Sequence, residues 1–241
     1  MRNSRLFLAA AIALALFSPA AFAGKSIDKV MGSITAHAGE DYGSLETVNG
    51  SIRVESGAKA GNVATVNGSV HLESGAAIGD AETVNGSIKA DGKLTAKSLE
   101  TVNGSIRLGD QSSVGEIQTV NGSVFAGRGS QVARNVETVN GSIGLVDTDV
   151  NGGIATVNGD ITVGVGSHVR GGITVEKPNS GWMPVSMKQR KLRIVIGPDA
   201  VVEGPLVFKR DVTLYVHKTA RIGKVTGATA VSYDGARPPQ D

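Results

Sequence analysis

The sequence predicts an all-β fold, a parallel β-solenoid (β-helix) with 18 residues per coil closed by a less regular C-terminal β cap, and three observations carry that prediction. First, the stretch Thr47-Val48-Asn49-Gly50-Ser51 keeps returning, with its Asn at Asn49, Asn67, Asn85, Asn103, Asn121, Asn140 and Asn158 in steps of 18, 18, 18, 18, 19 and 18 residues. A fixed period of this length marks a repeat architecture, in which each unit buries its apolar side only against its neighbours. Second, every unit holds short Val-, Ile-, Leu- and Thr-rich runs, such as Ser51 to Glu55 and Val63 to Val66, interrupted by Asn-Gly, Ser-Gly or Gly-Asp. Such runs suit strands of a few residues and are too Gly-rich for helices. Third, aromatic residues make up only 4% of the chain and cysteine is absent, so the core must be small and aliphatic and cannot be stapled by disulfides.

Taken in order, residues 1–23 read as an export signal. Arg2 and Arg5 give a basic start, Leu6 to Phe17 an apolar run, and Ala21-Phe22-Ala23 a small-residue cleavage site before Gly24. The apolar run is shorter than the roughly 20 residues a membrane span needs, and no later segment is apolar enough to be an integral span. An exported protein, periplasmic or at the cell surface, is the expectation.

The body runs over residues 24–175, with Met31-Gly32-Ser33-Ile34 as a degenerate first copy. Asn-Gly also favours two-residue hairpins, but the second half of each unit has turn signals of its own at Ser56-Gly57 and Gly61-Asn62, which leaves no strand long enough for a stable hairpin. Stacked coils predict three interior columns: Ile52, Val70, Ile88, Ile106, Val124, Ile143 and Ile161; Val54, Leu72, Ala90, Leu108 and Ala126; and Leu45, Val63, Ala81, Leu99, Ile117 and Val136. An aliphatic residue also recurs every six positions (Val48, Val54, Ala60, Val66, Leu72, Ile78), the rhythm of a left-handed hexapeptide helix with Val48 and its equivalents stacked one above the next. Glu82, Glu100 and Gln118 stand where that pattern wants small residues, which favours a right-handed coil.

Residues 176–191, with two prolines and the only Trp, read as a loop leaving the solenoid wall. Strand signals resume within 192–230 as irregular coils or a cap, and 231–241 is expected to be a frayed tail. Removing the signal takes 24 basic against 22 acidic residues to 22 against 22, so the basic balance belongs to the targeting segment and gives no reason to expect nucleic acid as a partner. The balance is uneven along the chain: residues 24–175 carry 11 Lys/Arg against 16 Asp/Glu, and 176–241 carry 11 against 6. That division fits end-to-end self-association or an anionic partner such as an acidic polysaccharide or envelope lipid.

The asparagine column reads as a structural corner ladder, because Asn tolerates the left-handed conformation and stacked amides can bond along the axis. It offers no Asp for calcium, and no cofactor or metal is expected. The candidate ligand surface is the stripe Arg53, His71, Lys89 and Arg107, followed by Phe125, together with the basic segment holding Trp182, Lys188, Arg190, Lys191 and Arg193. Glu46, Glu82, Glu100 and Glu137 are expected to face and relieve the basic stripe. The histidines fall in different repeats and Asp147 and Asp149 form the only close acidic pair of the body, so no catalytic residue is assigned and the chain reads as non-enzymatic.

The repeated T-V-N-G-S-I with apolar alternation and a Gly corner resembles the bacterial exported adhesin-type β-helix repeat family, a family of unassigned function. More distantly, Ile196-Gly197-Pro198 and Val202-Glu203-Gly204 have the rhythm of bactofilins, polymer-forming β-helices that are usually cytoplasmic. The resemblance implies a β-helix with a structural or adhesin-like role at the cell envelope, and secondarily a self-assembling polymer.

Overall fold

A computed structural model describes residues 24–178 and 190–239. The signal at 1–23 and most of the 176–191 loop, including Trp182 and Lys188, lie outside the described residues. One coil shows how the rest is built. The strand Ile52–Val54 ends in a β-turn that Ala58 N–H closes on Glu55 O at 3.0 Å. A short strand, Lys59–Ala60, follows on a second side, Val63–Asn67 makes the third, and Asn67-Gly68-Ser69 turns the chain into the next coil. Each residue pairs in parallel with its equivalent one repeat on: Ile52 with Val70, Lys59 with Ala77, Val63 with Ala81.

The side containing Ile52–Val54 is a sheet of 11 strands, all paired in parallel and in chain order. At about 4.8 Å per strand this gives a rod about 50 Å long. The other two sides join into one 18-stranded sheet, because Thr95–Asn103 and Ser113–Asn121 run through the corner between them without a break.

All three expected columns are interior, and most of their members are fully buried. Each Val, Leu or Ile so placed contributes about 1.5–3 kcal/mol relative to its exposed state. A column from the short side, Ala60, Ile78, Ala96, Val114, Val132, Val150, Val169 and Val202, completes the core. The six-residue rhythm does not describe the interior: Val48 is 36% exposed, whereas Thr47 beside it is 4% exposed. Strand alternation explains the correction. With Leu45 inward, Thr47 must also point in and Val48 out, and the Asn-Gly-Ser corner then resets the phase so that Ile52 and Val54 point in again.

The two kinds of corner need glycine for different reasons. At the turn after Ile52–Val54 the third residue has positive φ, and the column through it reads Gly39, Gly57, Gly75, Lys93, Gln111, Gly129, Asp147, Gly166 and Asp199, all between +47° and +78°. At the Asn-Gly corner none of the asparagines has positive φ, so left-handed tolerance is not what selects Asn there. The constraint falls instead on the following glycine: a Cβ on Gly86 would lie 1.8 Å from Gly68 O, and the Gly68 and Gly104 positions are equally tight.

Beyond the 176–191 loop the coil continues in register. Ile161 pairs with Ile194, Ile194 with Leu214, and Leu214 with Ala230, in steps of 33, 20 and 16 residues. Residues 234–239 turn back over the outer face, where Arg193 Nη2 donates to Pro238 O at 3.4 Å and to Pro239 O, with the guanidinium 5.0 Å from the Tyr215 ring centre. Val195, Tyr215 and Tyr233 form a small apolar cluster there, so this part of the tail is held rather than frayed. At the opposite end Lys25–Met31 is an edge strand in which Lys29 stands in the inward Thr47 column and donates from Nζ to Ser33 O at 2.9 Å.

Two glycine substitutions separate the two corner requirements. Gly57→Ala meets open space and only a strained φ, and is expected to cost about 1 kcal/mol. Gly86→Ala must push a backbone carbonyl aside and is expected to cost about 3 kcal/mol or more. Denaturant melts of the two variants check the order; equal midpoints would contradict it.

Candidate functional site

The repeated corner assigns a task to every residue of T-V-N-G-S. The buried Thr hydroxyl donates to a glycine carbonyl of the preceding coil: Thr65 to Gly50 O at 2.8 Å, Thr83 to Gly68 O at 2.9 Å, Thr101 to Gly86 O at 2.9 Å. The Asn amides form a continuous ladder in which each Nδ2 donates to the Oδ1 one coil earlier. It runs from Asn67 on Asn49 through Asn85, Asn103, Asn121 and Asn140 to Asn158, at 2.9–3.0 Å throughout. The Ser backbone N–H donates to the preceding Ser Oγ, as from Ser69 to Ser51 at 3.2 Å.

Because every amide points the same way, the ladder is polar, and its last acceptor, Asn158 Oδ1, receives a hydrogen bond from Arg210 Nη1. The same nitrogen donates to Val157 O at 3.0 Å. Sequence reading missed Arg210, which lies 52 residues from its partner; the only signal is a cation where the irregular coils begin. The Thr series also ends imperfectly. Thr156 is fully buried, and its hydroxyl has no hydrogen-bond partner.

On the outer face of the 11-stranded sheet Arg53, His71, Lys89, Arg107 and Phe125 stand in one column. Their acids come from the adjacent column on the same face, not from the expected glutamates. Arg53 meets Glu73 at 2.7 Å, and His71 and Lys89 both meet Asp91 at 2.9 Å. The contacts hold Glu73 and Asp91 below the usual carboxylate range, led by the hydrogen bonds from Arg53 and from Lys89 respectively. Arg107 has no carboxylate partner among the described residues, and its guanidinium lies 5.1 Å from the Phe125 ring centre.

Glu46, Glu82, Glu100 and Glu137 sit instead on the sheet that carries the Asn ladder. Partial burial comes first in raising the Glu82 and Glu100 pKa values, followed by neighbouring charge, from Asp80 on Glu82 and from Glu82 and Glu116 on Glu100. Glu46 is raised in the same way by burial, then by Asp28 and Glu82. Lys97 and Arg134 reach only the flanking Asp80 and Glu116, at 3.4 and 3.3 Å.

The basic segment is spread rather than gathered. Arg190 pairs with Asp160 at 2.5 Å, Arg193 is engaged with the C-terminal tail, and Lys191 is exposed. Asp147 occupies a positive-φ corner, and Asp149 stands on the short side in register with His168, which itself binds Glu203 at 2.7 Å. Among the described residues no three His, Asp or Glu side chains are grouped to hold a metal ion, and no helix is long and apolar enough to cross a membrane. No family model, curated protein or solved structure matches the chain.

Two experiments test these assignments. Thr101→Val orphans Gly86 O and is expected to cost about 1–2 kcal/mol, whereas Thr156→Val removes an already unsatisfied hydroxyl and is expected to be neutral or stabilising in the same melts. The raised glutamates make a pH signature. A carboxyl whose folded pKa is raised stabilises the fold fully below its unfolded pKa, and that contribution is lost as pH rises through the folded value. The melting temperature should therefore climb as pH falls from 7 towards about 5. It should drop only once the lowered Glu73 and Asp91 begin to protonate below about 4. Glu82→Gln with Glu100→Gln should raise the value at pH 7 and flatten the climb; an unchanged slope would reject the assignment.

Proposed function

We propose that this protein is a non-enzymatic, exported structural element of the cell envelope, a rigid spacer or adhesin-like rod. The observation that carries the reading is the uniformity of the outer surface. The same Val, Asn and Ser positions repeat coil after coil, so what the fold displays is length and flat, repetitive faces. Corners held by three parallel hydrogen-bond series give stiffness along the axis, the property a spacer needs. The signal-like residues 1–23 and the resemblance to the adhesin-type repeat family support the location.

The edge strand Lys25–Met31 favours a rod of fixed length over a polymer. A second molecule adding to that edge would have to stack its own coil on an inward lysine, a recognised protection of strand edges.

Fractionation of producing cells together with small-angle scattering tests the proposal. Recovery in the envelope or periplasmic fraction and scattering from a rod with an axial dimension of about 50 Å are expected; retention in the cytoplasm or scattering from a sphere would refute it. Lys29→Thr, which restores the repeat residue at the edge, should shift the protein towards concentration-dependent assembly in light scattering.

A further inference from the structure

We infer a binding site for an acidic glycan, a chain of carboxylate-bearing pyranose units, on the outer face of the 11-stranded sheet at Arg107, Phe125 and Gly144. The site is defined by how it departs from the coils before it. In those coils each cation of the stripe is matched two positions and one coil later: Arg53 by Glu73, and His71 by Asp91. The same step from Arg107 lands on Gly127. The acid has gone but the arginine remains, exposed and held against Phe125 with the guanidinium over one ring face.

The next member of the column, in register with Phe125, is Gly144, followed by the exposed Thr162. Gly144 has no side chain to cover the ring; a Cβ there would touch only Phe125 Cδ2, at 3.5 Å. The face of Phe125 turned away from Arg107 is thus left open along the axis. About 10 Å separates the backbones at positions 125 and 162, two coil spacings, which is room for one ring stacked at van der Waals distance. Beyond Thr162 the column is closed, because Val195 and Tyr215 are buried where residues 234–239 fold over.

These groups select a ligand class. The open aromatic face carries partial negative charge and attracts the C–H surface of a pyranose. The guanidinium, on the other side of that ring, presents a planar fork that pairs with a carboxylate in two parallel hydrogen bonds. The two subsites lie on opposite sides of one side chain, so a single sugar cannot fill both. The ligand must be an oligomer, one unit on Phe125 and the carboxylate of an adjoining unit at Arg107, the chain then running along the axis towards Lys89. An anionic membrane surface fits less well, since it would lie flat across Glu73 and Asp91 on the same face.

The site is independent of the rod reading, which scattering and fractionation test separately. Calorimetric titration of the purified protein with tetragalacturonate, with galacturonate monomer, with a neutral maltotetraose and with phosphatidylglycerol vesicles tests it. The tetramer is expected to bind at least about tenfold more tightly than the monomer, with no heat from the neutral sugar or the vesicles. Arg107→Gln, Phe125→Ala and Gly144→Val should each weaken tetramer binding about fivefold or more with unchanged thermal melts, while Arg53→Gln should not. Absence of tetramer binding, equal loss in Arg53→Gln, or vesicle binding that depends on Arg107 would overturn the assignment.

Discussion

The approach of each corner glycine to the glycine carbonyl one coil earlier is the constraint on which the rest of this structure depends. With the space for a Cβ already filled by a backbone oxygen, the corner admits no other residue, and each coil is locked in register with the one before it. Only because the corners superpose can the Thr hydroxyls reach their carbonyls, the Asn amides reach one another, and the aliphatic columns stack without offset. The one-residue insertion before Asn140 is tolerated because it falls outside the corner: Asn121 and Asn140 still pair across a step of 19.

Polar and apolar order are coupled in this core. Its cross-section is too small to exclude the backbone carbonyls of its own corners, so it carries hydroxyl columns beside the aliphatic ones. Thr47 and its equivalents serve one corner, and Ser112, Ser130, Thr148 and Ser167 serve the other. Ser112 and Ser130 both donate to Gly109 O at 3.0 Å. Buried polar groups of this kind cost little when bonded and a good deal when not, which is why their placement is as periodic as that of the isoleucines.

The period, the three aliphatic columns and the parallel stack are legible in the sequence, because strict repetition turns one correct register into all of them. What escapes is whatever depends on the phase of a single dipeptide or on contacts between columns. In Thr47-Val48 both residues are β-branched and strand-forming, and nothing in composition says which points inward; the hydroxyl does, because a corner carbonyl waits for it. The partners of the basic stripe were sought across the coil, among Glu46 and Glu82, although a stack of parallel strands brings together residues 18 apart and those diagonal to them. A separation of 20 would have found Glu73 and Asp91, and would have marked the glycine that follows from Arg107. Trp182 and Lys188 contribute nothing to that comparison, since they lie outside the described residues.

The one-way asparagine ladder, closed at its acceptor end by Arg210, has a consequence for how such a protein can change over generations. Every internal rung is equivalent, donating backwards and accepting forwards, so duplication or loss of a whole 18-residue unit leaves both ends of the ladder and both terminal structures as they were. Axial length is therefore an inheritable variable adjustable in increments of about 4.8 Å, independent of surface chemistry, and a lineage can tune reach without redesigning anything it touches.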